Sequence, residues 1–219
     1  MINFYHYFPR LFHLTMSKNI LYIHGFNSSP QSLKAEQTKA FLATNYPEIV
    51  FHCPQLLTSP QATIEQLEHI IQQVGGKGDW LFMGSSLGGY FASYLAEKYQ
   101  TLAVLINPAI KPFELLEEYI GQQENPYTGI VYQVTKAHMA ELKAIEPRKP
   151  KFDNKQKNNY LVMVQTGDEV LDYQQAVEKY QHSHLKVEQG GDHSFIDFDK
   201  RLPMIADFLQ LSTKLKHKK

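Results

Sequence analysis

The amino-acid sequence predicts an α/β domain of three layers, in which a mainly parallel sheet carries helices on both faces. Short apolar runs rich in β-branched and aromatic residues alternate along the chain with longer segments of helical periodicity. Such alternation is typical of strand–helix–strand units, whose crossover helices cover a parallel sheet. The chain has 219 residues, of which 43% are apolar, and this is enough for one domain with a sizeable core.

The predicted elements follow one another in regular order. We predict strands over residues 20–25, 48–53, 79–85, 102–107, 160–167 and 185–191, and helices over 28–46, 59–76, 87–99, 171–181 and 201–215. The first helix should have Ser29 as N-cap and Pro30 at its first position. The second should be capped by Ser59 and end at Gly75. Its apolar face carries Ile64, Leu67, Ile71 and Val74, and the last helix should bend near Pro203.

One stretch breaks the alternation, because residues 108–159 contain no convincing strand. We predict two helices there, one of them with Phe113, Leu116 and Ile120 on its apolar face. A connection of about fifty residues is far longer than usual for this type of fold. Because ligands bind outside the carboxyl ends of the strands in open α/β sheets, we interpret it as a helical lid. The aromatic residues of this segment either line an apolar pocket or anchor the lid: Phe113, Tyr119 and Tyr127.

Charge and cysteine content limit the classes of partner. Lys and Arg together number 22, as do Asp and Glu, so the formal net charge is zero. This balance gives no sign of a nucleic-acid groove or of an anionic membrane as main partner. The single cysteine, Cys53, allows no internal disulfide and fits a reducing, cytoplasmic compartment. No apolar run reaches membrane-spanning length.

The N-terminal segment differs from the rest of the chain. Residues 1–15 are aromatic, weakly basic and interrupted by Pro9, and they lack the apolar core and cleavage site of a secretory signal. Met16 then opens a stretch that resembles the start of a cytosolic domain. We interpret residues 1–15 as an extension outside a single domain of residues 16–219. The alternative, a short amphipathic membrane contact, has aromatic residues in its favour but little basic charge.

A serine at a strand-to-helix junction is the candidate nucleophile. The segment "GSSLG" fits Gly-x-Ser-x-Gly with Ser86 at its centre, between a predicted strand and a predicted helix. A serine held in a strained turn requires small residues two positions before and after it. Gly84 and Gly88 satisfy this requirement for Ser86, whereas Ser85 would have Met83 and Leu87 as its neighbours. The competing interpretation is a glycine-rich structural turn without a catalytic role.

The partners of such a serine should follow in the order acid, then histidine, each after a late strand. Asp168 follows the strand at 160–167, and His193 follows the next strand. Both loops should therefore lie at the same sheet edge as Ser86. We predict that Ser86 attacks an acyl carbon, that His193 transfers the proton, and that Asp168 orients the imidazole.

Other side chains could take these roles. Asp172 and Asp192 are alternative acids, although Asp172 begins or enters a helix and Asp192 is adjacent to the histidine. Cys53 with a histidine would suggest a thiol hydrolase, but it lacks a glycine-flanked turn, so a buried free thiol is the better interpretation. His182 and His184 have spacing that suggests metal binding, but no further ligands accompany them.

Stabilisation of an oxyanion requires two backbone donors. One should be the N–H of Leu87, directly after the nucleophile at a helix N-terminus. The second should be the N–H of Phe26, in the turn that His24 and Gly25 shape after the first strand. An ordinary strand end remains the alternative interpretation of that turn.

Five segments closely resemble the YqiA-like esterases, a family of small bacterial α/β-hydrolases: "LYIHGFNSSP", "GSSLGGY", "NPAIKPFELLEEYIGQQENPYTG", "QTGDEVLDY" and "GGDHSF". The resemblance spans residues 16–211 approximately. It implies the α/β-hydrolase fold and an intracellular enzyme that hydrolyses carboxylic esters, with acyl-CoA thioesters as further candidates, without metal or cofactor. It assigns the nucleophile, acid and base to Ser86, Asp168 and His193.

The chain departs from the family pattern at two places. Asp192 stands beside His193 where we expect Asn more often, and an added carboxylate there should raise the pKa of the histidine. The extension of residues 1–15 has no counterpart in the family.

Two function classes remain open at this point. The first is a serine hydrolase that acts on a small acyl ester or thioester, and the second is a non-catalytic member of the fold that binds a small apolar ligand. A complete triad with two oxyanion donors favours the first, since a binder does not need that set.

Overall fold

The computed structural model describes residues 18–74, 80–150 and 159–211, and it arranges them in three layers. The strands are β1 (Asn19–Ile23), β2 (Val50–His52), β3 (Trp80–Ser86), β4 (Ala103–Pro108), β5 (Gly121–Glu124), β6 (Val131–Val134), β7 (Tyr160–Gln165) and β8 (His184–Glu188). The helices are α1 (Leu33–Asn45), α2 (Pro60–Val74), α3 (Leu87–Tyr99), α4 (Pro112–Leu115), α5 (Lys136–Ala144), α6 (Tyr173–Lys179) and α7 (Leu202–Phe208). The predicted extension of residues 1–15 and the predicted helix end at Gly75 lie outside the described residues.

The main sheet confirms the predicted parallel arrangement. Its strand order is β2-β1-β3-β4-β7-β8, and every neighbouring pair is parallel. All residues of β1, β4 and β7 are buried, as expected for inner strands that are covered on both faces. Because all six strands run in one direction, their carboxyl ends and the loops that follow them meet at one edge of the sheet.

Helices cover both faces of this sheet. One face packs against α2, α3, α5 and α6, around buried side chains that include Trp80, Phe82 and Phe91. The other face packs against α1 and α7, around Tyr22, Met83 and Ile205. Full burial of a large apolar side chain stabilises a fold by about 1.5–3 kcal/mol, so these two cores hold the sheet edge in a fixed geometry.

The predicted helix caps are only partly correct. Ser59 caps α2 as predicted, since its Oγ accepts a hydrogen bond from the N–H of Ala62 at 3.2 Å. The first helix, in contrast, begins at Leu33 and not near Pro30. The hydroxyl of Ser29 accepts from the N–H of Gln31, and its carbonyl accepts from Ser32, so these groups form a turn before the helix.

The last helix ends earlier than predicted, and positions 212–215 of the prediction lie outside the described residues. It spans Leu202–Phe208, and Pro203 lies in its first turn, where proline fits a helix without bending it. In the second helix, Ile64, Leu67 and Ile71 are buried as predicted, whereas Val74 at the end is 46% exposed.

The insertion between β4 and β7 is not wholly helical, which corrects the prediction. Its first part is a short helix, α4, followed by a 3-10 turn over Leu116–Tyr119. Then β5 and β6 form an antiparallel hairpin before α5. The loop of the hairpin closes through Asn125, whose side-chain oxygen accepts from the N–H groups of Tyr127 and Thr128. Ile120, which was predicted on the apolar face of a helix, is 41% exposed.

Candidate active site

Ser86 occupies a sharp turn between β3 and α3. Its backbone adopts φ 55° and ψ −123°, a region that non-glycine residues rarely occupy. Such strain persists only where the surrounding structure enforces it, and it is concentrated at functional sites. The carbonyl of Ser86 is held by the N–H of Ala109, at 3.1 Å.

The glycines on either side of Ser86 are required by close backbone contacts. A Cβ atom on Gly84 would lie 2.1 Å from the carbonyl oxygen of Gly88. A Cβ atom on Gly88 would lie 1.9 Å from the carbonyl oxygen of Ile23 in β1. The spacing of small residues therefore results from packing of α3 against β3 and β1. Ser85 is buried, whereas Ser86 is partly exposed, which distinguishes the two adjacent serines.

Asp168 and His193 form a hydrogen-bonded pair, although 25 residues separate them. The imidazole Nδ1 lies 3.0 and 2.9 Å from the two carboxylate oxygens of Asp168. An Nδ1–H that donates to this carboxylate leaves Nε2 as the basic nitrogen. The side chain of Asp168 is 2% exposed and that of His193 is 24% exposed. The acid is thus enclosed while the base remains accessible.

The Asp168 carboxylate is stabilised in its ionised form. Burial acts to raise its pKa, but the hydrogen bond from His193 and those from the N–H groups of Leu171 and Val170 outweigh burial and lower it. A carboxylate that is ionised at neutral pH can stabilise an imidazolium that forms on His193.

The alternative acids have other contacts. The carboxylate of Asp172 caps α6, where it accepts from the N–H of Gln174 at 2.9 Å. The carboxylate of Asp192 accepts from the hydroxyl of Ser194. Lys34 lies close to this side of the site, and its ammonium donates to the carbonyl of Ser194 at 2.8 Å. Burial lowers the pKa of Lys34, and the nearby Asp192 and Asp168 partly offset that effect.

The loop of His193 is joined to the strand end beside Ser86. Pro108 of β4 pairs with Ser86, and the preceding residue, Asn107, donates its amide hydrogens to the carbonyls of Asp192 and His193. Ser86 and the His193 loop therefore share β4 as their common support. Among the described residues, the side-chain hydrogen bonds of His193 run to Asp168, and none joins its ring to the Ser86 hydroxyl.

His24 determines the direction of the peptide between Gly25 and Phe26. Its Nδ1 contacts the carbonyl of Gly25 at 3.0 Å, and its Nε2 accepts from the N–H of Leu56 at 3.3 Å. Burial lowers the pKa of His24, which keeps this ring neutral and consistent with one donor and one acceptor nitrogen. In a trans peptide the N–H points opposite to the carbonyl, so the Phe26 N–H points away from His24.

The two predicted oxyanion donors lie close to the candidate nucleophile. A Cβ atom on Gly25 would stand 3.3 Å from Ser86 Cβ and 3.7 Å from its Oγ, so the Gly25–Phe26 peptide adjoins the serine. Leu87 is the first residue of α3, and the N–H of a first helical residue has no partner within its own helix. Phe26 and Leu87 also line the same cavity, of about 90 Å³.

The insertion covers this cavity with its hairpin. Tyr132 donates its hydroxyl hydrogen to Asn27 at 2.6 Å, and Asn125 donates to the carbonyl of Ser28 at 2.9 Å. The ring of Phe26 packs edge-on against Tyr119 and Tyr132, with centroids 5.3 and 6.4 Å away. Tyr119 therefore attaches the insertion to the loop after β1, and it is not among the residues that line this cavity. A second cavity, of about 250 Å³, is bordered by Ala109, Lys111, Val170 and Leu171.

The remaining candidate groups do not form a site. Burial raises the pKa of the half-buried Cys53 thiol to about 12, so the thiolate that a thiol hydrolase requires is disfavoured. Over residues 18–74, 80–150 and 159–211, no group of three or more His, Cys, Asp or Glu side chains is arranged to hold a metal ion. No helix in the same ranges is long and apolar enough to cross a bilayer.

Sequence reasoning missed two residues that hold the His193 loop, Asn107 and Gln165. Each is a buried amide at the carboxyl end of an apolar strand. Their only sequence signal is a polar residue where a buried strand ends, and this signal does not reveal which loop the side chain contacts.

Comparison with known proteins agrees with this architecture. The sequence model of the family UPF0227, described as an uncharacterised protein family, matches residues 19–210 of this chain. A UPF0227 protein from Serratia proteamaculans is 25% identical over 195 residues, which cover 88% of this chain and 99% of that protein.

Solved structures show the same fold. Mouse alpha/beta hydrolase domain-containing protein 10 superposes with a TM-score of 0.66 at 14% identity, covering 88% of this chain and 89% of that one. The esterase domain of a Rhodothermus marinus protein superposes with a TM-score of 0.58 at 15% identity, covering 89% and 88%. The chain thus has the α/β-hydrolase fold.

Proposed function

The chain belongs to the UPF0227 family, and we propose that it is a serine hydrolase that cleaves carboxylic esters of small molecules. Acyl-CoA thioesters are a second candidate substrate, since they react through the same acyl chemistry. The observation that carries the proposal is the Asp168–His193 pair, which lies at the same sheet edge as a serine in a strained turn. A non-catalytic binder of apolar ligands would need neither feature.

The proposed reaction starts with attack of the Ser86 oxygen on the acyl carbon of the substrate. The basic Nε2 of His193 takes the hydroxyl proton as the new carbon–oxygen bond forms, because a serine hydroxyl is a weak nucleophile without a base. Asp168 holds the imidazole in the tautomer with Nδ1–H and stabilises the charged ring. Catalytic hydrogen bonds often tighten only when substrate is present, and we expect this of the contact between Ser86 and His193.

The N–H groups of Phe26 and Leu87 donate hydrogen bonds to the substrate oxygen and stabilise the negative charge that develops on it. Collapse of the tetrahedral intermediate expels the alcohol or thiol, which takes the proton from His193. Water then attacks the acyl-enzyme, with His193 again acting as base, and Ser86 is released. The loss of a single oxyanion donor lowers kcat by about 10²–10³-fold in serine proteases, so the fixed peptide after His24 is a substantial part of the proposal.

Two cavities lined by neighbours of Ser86 supply room for the two parts of an ester: Leu87 lines the first, and Pro108 and Ala109 line the second. The first is lined by apolar side chains such as Leu56, Phe91 and Ile130, together with both oxyanion donors, and suits an acyl chain. The second is bordered by the loop that follows Asp168. Lys111 and Asp172 line this cavity, which therefore suits a more polar leaving group.

The direct test is reaction with a fluorophosphonate probe, combined with turnover of p-nitrophenyl esters and acyl-CoA thioesters. We expect a covalent adduct on Ser86 and ester hydrolysis by the unmodified protein. Ser86→Ala should abolish labelling and lower kcat by about a millionfold, as for the serine nucleophile of a protease.

Ser85→Ala is the matched control, because Ser85 is the adjacent serine but is buried in the strand. This variant should retain labelling and turnover. A folded unmodified protein that neither reacts with the probe nor hydrolyses any ester would exclude the proposed activity and favour a ligand-binding role.

A further inference from the structure

Two buried amides hold the loop that carries His193. Asn107 is 2% exposed and Gln165 is 4% exposed, and they lie at the carboxyl ends of the adjacent strands β4 and β7. The side-chain oxygen of Asn107 accepts from the N–H of Gln165 at 3.0 Å, so the two residues are also bonded to each other. Both side chains contact the backbone of residues 192–196.

The Gln165 amide has four hydrogen bonds. Its oxygen accepts from the N–H groups of Asp192 and Ile196, at 3.2 and 2.9 Å. Its nitrogen donates to the carbonyl of Ile196 at 2.9 Å and to the carboxylate of Glu188 at 3.2 Å. The side chain therefore fixes both ends of the loop, and a buried amide with every group paired is rigid.

Asn107 holds the first two residues of the same loop. Its amide nitrogen lies 3.0 Å from the carbonyl of Asp192 and 3.3 Å from that of His193. On the main-chain side, the next two residues contact the candidate nucleophile. Pro108 pairs with Ser86, and the N–H of Ala109 donates to the Ser86 carbonyl. Asn107 therefore links the backbone of the base to the strand end that contacts the nucleophile.

The backbone of the loop is shaped to admit Gln165. Gly191 has a φ of 75°, and a Cβ atom there would lie 1.9 Å from the Gln165 side-chain oxygen. Any side chain at this position would displace the amide or the loop. The space that Gln165 occupies thus explains why position 191, two residues before the histidine, is a glycine.

From these contacts we propose that Asn107 and Gln165 are positioning residues, which hold the loop of His193 so that its imidazole can reach the Ser86 hydroxyl when substrate is bound. The inference rests on the proposed serine-hydrolase function. It adds two residues that contact neither substrate nor the reacting atoms, and that act through the backbone of residues 192–196.

The test uses Asn107→Gly and Gln165→Met in the full chain. Glycine suits the φ of 39° at position 107, so Asn107→Gly removes the buried amide without backbone strain. Methionine has nearly the length of glutamine, so Gln165→Met removes the hydrogen bonds with little change in volume. Displacement of a catalytic group by about 1 Å can lower turnover about 10²-fold, and we expect kcat to fall by that factor in each variant. KM should stay within about twofold, because substrate binding does not depend on the base.

The pH profile gives a readout that a purely structural role would not change. If His193 is misplaced, hydroxide replaces it as the base, and the rate should rise steadily with pH without the plateau of the unmodified protein. Asn107→Asp serves as a second variant should Asn107→Gly fold poorly. It retains the side-chain volume but places an acceptor against two carbonyls, so the same loss is expected.

Asn19→Ala is the matched control. Asn19 is also a buried amide, 4% exposed, but it lies at the amino end of β1 and contacts His52. The Asn19→Ala variant should have a lower melting temperature but an unchanged kcat and pH profile. The inference is wrong if both loop variants keep kcat within about twofold of the unmodified protein, or if Asn19→Ala loses as much activity as they do.

Hydrogen exchange separates this inference from the proposed function. The N–H groups of Asp192 and Ile196 should lose protection in Gln165→Met whether or not the protein hydrolyses esters. Unchanged protection of these two N–H groups would show that Gln165 does not hold the loop of residues 192–196. A protein that fails to react with fluorophosphonate but loses protection in this variant would contradict only the hydrolase.

Discussion

At the scale of single residues, the state of the imidazole depends on the group that faces its Nδ1. Asp168 accepts from that nitrogen and also from the N–H groups of Val170 and Leu171, so its carboxylate is fixed on two sides. An asparagine at position 168 could still accept from the two backbone groups. Its amide hydrogens would face Nδ1, however, and would favour the tautomer with the proton on Nε2.

We therefore predict that Asp168→Asn lowers kcat by about ten-thousandfold with little change in KM. Steady-state kinetics on a p-nitrophenyl ester would measure this. Asp172→Asn is the matched control, because asparagine caps a helix as well as aspartate does and, among the described residues, no hydrogen bond joins position 172 to the imidazole, so the kcat of this variant should be close to that of the unmodified protein. Normal turnover in Asp168→Asn together with a large loss in Asp172→Asn would show that the acid has been misassigned.

At the scale of elements, the hairpin of β5 and β6 is attached to the loop after β1. The hydroxyl of Tyr132 donates to Asn27, and burial raises the pKa of that tyrosine to about 12, so the phenol keeps its proton at neutral pH. Because Phe26 packs against Tyr119 and Tyr132, the lid also supports the loop that carries one oxyanion donor. The cavity assigned to the acyl chain lies between these two elements.

Tyr132→Phe should loosen the lid while keeping the ring contact with Phe26. A net hydrogen bond contributes about 0.5–1.5 kcal/mol, which corresponds to a rise in KM of roughly two- to tenfold if the lid helps to hold substrate. Steady-state kinetics with esters of several chain lengths would measure it. Tyr127→Phe is the control, since Tyr127 is 54% exposed at the tip of the hairpin and should leave KM unchanged. Equal effects of the two changes would argue against lid docking through Tyr132.

At the scale of the whole molecule, the same carboxylate links the site to acid stability. The folded-state pKa of Asp168 is below its ordinary value, so the group stabilises the folded state at pH values above about 4, where the unfolded chain is also ionised. That stabilisation is lost as the pH falls through the folded-state pKa. Glu188 contributes in the same direction, because hydrogen bonds from Arg201 and Gln165 outweigh burial and lower its pKa.

We predict that the melting temperature of the unmodified protein falls steeply between pH 5 and pH 2. The melting temperature of Asp168→Asn should fall less over the same interval. Thermal unfolding followed by circular dichroism at intervals of pH would measure both curves. Parallel curves for the two proteins would contradict the assigned role of Asp168 in acid stability.

Much of the architecture could be predicted from local pattern. The six strands of the main sheet and α3 lie close to their predicted positions. The inner strands are the clearest, because buried parallel strands are continuous apolar runs. The insertion could not be predicted to the same degree. Its hairpin strands are short and half exposed, with polar residues such as Gln122 and Gln133, and they are stabilised by docking onto the loop after β1 rather than by their own pattern.

The sequence by itself determined the parallel α/β fold, the position of Ser86 in a glycine-flanked turn, and the pairing of a late aspartate with a late histidine. The fold and the turn depend on periodicity and on the sizes of adjacent residues, which are local properties, and the pairing follows from the order of two loops after late strands. Only the tertiary structure decided that Asp168, and not Asp172 or Asp192, faces the imidazole, and that Asn107 and Gln165 hold its loop. The reason is that carboxylates a few residues apart have the same local signal, and their partners come from strands that are distant in the chain.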